Sequence, residues 1–100
     1  MQERRTAERF RLDLTTRWEG LTTQDRGAIS DLSATGCFVL SGGEVTAGEL
    51  IRLQISFPRE VGVVWGRAVY AVAEIGFALR FVFGSEDERR ALDRLIATLN

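Results

Sequence analysis

From residue 11 the chain alternates. Leu12, Leu14, Thr16 and Trp18 fall on one side of an extended segment, and Arg11, Asp13, Thr15, Arg17 and Glu19 fall on the other, the period-two signature of a strand with one buried face. Residues 20–25 are rich in turn formers, and a second short strand is expected over 27–32. A third follows over 36–40, closed by Ser41, Gly42 and Gly43. Beyond Ala47 and Gly48, Ile51, Leu53, Ile55 and Phe57 face one way while Arg52, Gln54 and Ser56 face the other. Pro58 ends that strand, because it has no N–H to give a ladder. The run over 61–72 alternates less cleanly, and Gly62 and Gly66 predict bends or a bulge that curves a sheet. Ile75, Phe77, Leu79, Phe81 and Phe83 make the most regular strand.

After Gly84 the period changes. Ser85, Glu86, Asp87 and Glu88 read as a capping box with acids at the positive end of a helix dipole, and Leu92, Leu95, Ile96 and Leu99 recur at helical spacing. A helix over 85–100 is therefore expected. Six strands joined by short connections, with no helix between them, imply antiparallel pairing, and closure removes exposed edges. The fold class is mainly β: a six-stranded antiparallel barrel with one C-terminal helix. Residues 1–10 carry Arg4, Arg5 and Arg9 without apolar periodicity and read as a flexible leader; residues 11–100 form a single domain.

Composition narrows the chemistry. One hundred residues with 45% hydrophobic side chains suffice for one modest core. Cys37 is the only cysteine, histidine is absent and every basic side chain is arginine. A Ser/His/Asp triad, a Cys/His pair and the usual zinc ligand sets are thereby excluded, so no enzyme activity, metal or cofactor is expected. No apolar run approaches the roughly 20 residues that span a bilayer, and the N-terminal residues lack the apolar core of a signal peptide. Membrane insertion is not expected, and a cytoplasmic location is. The net charge of -1 argues against a nucleic-acid-binding barrel.

Asp31, Ser33 and Gly36 form an Asp-x-Ser-x-x-Gly pattern between the second and third strands, preceded by an Arg-x-x-x-Arg pattern at Arg5 and Arg9. Either alone has a plain reading, an Asx-type turn or a solvated basic tail. Together, in this order on this strand pattern, they resemble the PilZ domain, the bacterial receptor module for cyclic di-GMP. The resemblance extends to the Gly62-Val-Val-Trp65 run, the strand from Ile75 to Phe81 and the closing helix. It implies a cyclic di-GMP receptor or adaptor that signals by contact with a downstream protein, and ligand contacts from Arg4, Arg5, Arg9, Asp31, Ser33 and Gly36.

Those residue types suit that ligand. Arginine forks bind phosphates and the guanine O6/N7 edge, and their planes stack on purines. A fixed carboxylate such as Asp31 accepts from guanine N1–H and N2–H. Ser33 supplies a hydroxyl, and Gly36 supplies either a special backbone conformation or close ligand approach. In the resembled family a basic residue before the first motif arginine goes with an intercalated pair of ligand molecules, so Arg4 implies the pair. The alternatives are an interaction module of this fold that binds no nucleotide, or a small barrel for nucleic acid.

Overall fold

The computed structural model describes residues 10–99, with side chains from Leu12 onward. Six strands and one helix follow in order: β1 (Phe10–Glu19), β2 (Gln24–Leu32), β3 (Gly36–Leu40), β4 (Leu50–Ser56), β5 (Val61–Val72), β6 (Gly76–Val82) and α1 (Glu86–Ala97). All pairings are antiparallel, and the strands close into a barrel in the order β1-β2-β3-β6-β5-β4. The mainly β barrel with one terminal helix is the architecture expected from the pattern. The first strand begins at Phe10 and the helix ends at Ala97, with Ser85 as its N-cap.

The period-two residues fill the interior. Trp18, Ile29, Val39, Ile51, Leu53, Ile55 and Phe77 are buried, and the Trp18 and Phe77 rings meet edge to face at 5.0 Å. Burying side chains of this size contributes about 1.5 to 3 kcal/mol each. The one hydroxyl among them, on Thr16, donates to the Gln54 carbonyl across β1 and β4 at 2.8 Å, and the Trp18 indole N–H donates to Ser41 Oγ at 3.0 Å. Both polar groups are thus satisfied within the core.

Two expectations about β5 and β6 need correction. Ile75 is not a core strand residue: it is 54% exposed in the turn before β6, where Glu74 takes a positive φ of 67°. The register shift in β5 falls between Ala68 and Tyr70, not at Gly62 or Gly66. Gly62 serves helix docking instead. A Cβ there would come within 2.6 Å of Leu95 Cδ1, so the missing side chain is what lets α1 seat Leu92, Leu95 and Ile96 on the end of the barrel.

Helix α1 starts as its sequence predicts. Ser85 Oγ accepts from the Glu88 N–H at 3.2 Å, while the Glu88 carboxylate reaches back to the Gly84 N–H at 2.8 Å. That is one residue further than the reciprocal contact of a capping box. The Arg89 guanidinium lies 4.8 Å from the centre of the Phe83 ring and covers the junction of β6 with the helix.

Candidate functional site

Asp31 owes its position to a bulge. Ile29 pairs with Val39 and Asp31 pairs with Phe38, so Ser30 is an additional residue in β2. Ile29 and Leu32 are both fully buried, and Ser30 and Asp31 between them are not. Strict alternation from Ile29 would send Asp31 inward and Leu32 outward. The extra residue reverses both, placing a carboxylate on the outer wall at the mouth of the β2–β3 turn.

The turn itself is fastened at several points. The Ser33 N–H donates to the Gly36 carbonyl at 2.9 Å, and Ser33 Oγ accepts from the Thr35 N–H at 3.2 Å and lies 3.1 Å from Thr35 Oγ1. The Thr35 carbonyl accepts from the Phe81 N–H at 2.9 Å, which ties the turn to β6. Ser33 is only 5% exposed, so its hydroxyl serves this turn. Gly36 has neither a left-handed backbone nor an open surface to justify it: a Cβ would strike the Leu79 carbonyl oxygen of β6. Cys37, next in the chain, is buried, and that burial first and the nearby Asp31 carboxylate second push its thiol up, far above the ordinary range.

Arg4, Arg5 and Arg9 lie outside the described residues. The chain that carries them joins the barrel at the motif, since Phe10 is opposite Leu32 and Arg11 is opposite Asp31 in the β1–β2 register.

Strand pairing also brings to the motif several residues that no sequence spacing singles out. Asp31 is opposite Phe38, Phe38 is opposite Ala78, and Ala78 is opposite Tyr70, which gives one continuous row across β2, β3, β6 and β5. The Phe38 and Tyr70 rings are 6.3 Å apart, and Tyr70 is 53% exposed. Tyr70 faces out because Val69 is the extra residue of the β5 bulge. In a neighbouring row Gly36 is opposite Arg80, and Arg80 is opposite Arg67, both exposed. Arg67 Nη1 donates to the Gly48 carbonyl at 3.0 Å. The outer wall beside the motif thus combines a carboxylate, two aromatic rings and two guanidinium groups, which can meet the edges, faces and phosphates of a nucleotide. Among the described residues no group of acids and cysteine could hold a metal ion.

The PilZ domain matches residues 3–98. The chain belongs to the PilZ domain family. That family is one of cyclic di-GMP receptors, and PilZ domains are typically non-catalytic. Among solved structures, the PilZ domain of CeSA from a cellulose-synthesizing bacterium is similar at a TM-score of 0.77 and 14% identity, covering 92% of this chain and 97% of that one. The Bacillus subtilis inhibitor of motility MotI/DgrA is similar at 0.71 and 20% identity, and MrkH of K. pneumonia, solved as a c-di-GMP complex, at 0.74 and 16%. This PilZ chain spans about half the length of those two: each match covers 98% of it and 52% of the other chain. At such identities these likenesses establish the fold. No curated protein matches the chain. The described residues contain no helix long and apolar enough to cross a membrane.

Proposed function

We propose that this PilZ domain is a cytoplasmic cyclic di-GMP receptor that signals through contact with a partner protein. Asp31 accepts from the guanine N1–H and N2–H edge, the fastened turn from Ser33 to Gly36 holds that carboxylate in place, and Arg5 and Arg9 close over the phosphates from the leader. Arg4 adds the charge that a second, intercalated ligand molecule requires. Phe38 and Tyr70 offer faces for the bases, and Arg80 and Arg67 extend the cationic surface. Ordering of the leader on the ligand is the step that alters what a partner meets.

The observation that carries this reading is the β1–β2 register, in which Arg11 stands opposite Asp31 and delivers the arginine-bearing leader to the acidic end of β2. Calorimetric titration of the purified chain with cyclic di-GMP, GTP and a short oligonucleotide tests it. Saturable binding of cyclic di-GMP alone, at two ligands per chain, is expected. No heat with cyclic di-GMP removes the reading, and one ligand per chain removes the role of Arg4.

A second reading, an interaction module of this fold without a nucleotide, is favoured by the outer face of β5 and β6. Val61, Val63, Trp65 and Val82 are 58%, 51%, 42% and 42% exposed there. Ser33 and Gly36 also have structural reasons that need no ligand. The same titration separates the two.

A further inference from the structure

Away from the motif, the outer wall formed by β2, β1 and β4 is concave and carries a cleft of about 470 Å³ that is open to solvent. Its lining follows from the register. Arg26, Arg17 and Gln54 lie side by side in one row across the three strands, and Gln24, Glu19 and Arg52 lie in the next. The Trp18 backbone runs between these rows, with its indole turned into the core. On the far side of the arginine row come Thr15 and Ala28, whose short side chains keep the wall low.

Arg17 and Arg26 stand directly opposite each other on neighbouring strands. Like charges in that relation oppose sheet formation. The nearby acids do not relieve it. Glu19 is drawn to Arg52, at 3.9 Å, and Asp25 Oδ1 accepts from the Arg26 backbone N–H at 2.7 Å. Among the described residues no carboxylate lies within ion-pair distance of the Arg17 or Arg26 guanidinium. The wall therefore holds two unneutralised forks that face the same space, beside the Arg52 guanidinium that Glu19 pairs with.

We propose that this wall is a second ligand site, specific for a single phosphate-type oxyanion held by Arg17 and Arg26, with Arg52 at its side. One carboxylate is satisfied by one guanidinium fork, whereas a tetrahedral oxyanion presents enough oxygens for two or three forks at once. Gln24 and Gln54, at opposite corners, supply amide donors and acceptors for whatever the oxyanion is esterified to. Glu19 and Asp25 flank the arginines and repel the successive charges of a nucleic-acid backbone, so the site takes one group and not a polyanion. The oxyanion removes the Arg17–Arg26 repulsion, and its binding is stabilising for the barrel.

Thermal denaturation and NMR of the arginine side chains test the proposal on the full chain. Inorganic phosphate and a phosphoserine peptide are each titrated against chloride at matched ionic strength. Saturable stabilisation, with shifts of the Arg17 and Arg26 Nε signals, is expected. Arg17→Gln and Arg26→Gln should each weaken binding about tenfold or more. In chloride alone each should melt about 1 to 5 °C above the parent chain, because the repulsion is gone. Tighter binding of the peptide assigns the oxyanion to a protein partner, and tighter binding of phosphate to a small metabolite; either supports the site. An Arg5→Ala/Arg9→Ala/Asp31→Ala variant should keep the phosphate response. Loss of the response in that variant, or phosphate acting no differently from chloride, overturns the proposal.

Discussion

Ile29 and Leu32 both point into the barrel although three positions separate them, and the residue that makes this possible is Ser30. Deleting Ser30 gives strict alternation with Ile29 inward, Asp31 outward and Leu32 inward, so the bulge is removed while each of these side chains keeps its face. The Leu32 packing, worth about 2 to 5 kcal/mol, is kept, and the carboxylate stays out of the core. A folded chain whose urea midpoint is close to that of the parent chain is the expected result. Failure of the deletion variant to fold would show that Ser30 is not simply the extra residue of this bulge.

Gly36→Ala is expected to destabilise the chain by about 1 to 3 kcal/mol, because the new methyl meets the Leu79 carbonyl and one strand must shift. Urea denaturation without any nucleotide measures this. A variant that is as stable as the parent but fails to bind cyclic di-GMP would assign Gly36 to ligand approach instead.

Arg5→Ala and Arg9→Ala each remove charge-assisted contacts worth about 1.5 to 3 kcal/mol, an expected loss of about tenfold to a hundredfold in cyclic di-GMP affinity at unchanged melting temperature. Asp31→Asn keeps the shape of the side chain and should weaken binding as well. Calorimetry showing full affinity in all three variants is incompatible with the proposed site.

The Cys37 thiol sets an alkaline limit. Its folded-state pKa is raised above the ordinary value of 9.0, mainly by burial and then by Asp31. The folded chain therefore keeps the thiol proton after the unfolded chain has lost it. The contribution is complete below about pH 9 and declines as pH rises beyond that, by up to about 1.4 kcal/mol per pH unit. Stability measured between pH 8 and 10.5 should fall less steeply for Cys37→Ala than for the parent chain. Parallel slopes would exclude the thiol as the source.

Several features of the site were legible in the residues alone. The Asp31, Ser33 and Gly36 pattern marked the β2–β3 turn, and Ser85 with Glu88 marked the helix start. The reasons for individual residues were not. Gly36 answers to the β6 backbone, and the Ser33 hydroxyl to Thr35, contacts made by a strand and a turn whose proximity no local pattern states.

Hydrophobic alternation by itself determined the strands, most of their buried faces, the terminal helix and hence the barrel, because burial of apolar area is the dominant favourable term and leaves its period in the chain. Only the tertiary structure decided which strands are neighbours and in what register. Outward side chains contribute little to burial, so nothing in the pattern announces that Tyr70 shares a row with Asp31, that Arg80 lies beside Gly36, or that Arg17 faces Arg26. The bulges at Ser30 and Val69 set those positions, and each turns on one residue's backbone and its pairing across the sheet.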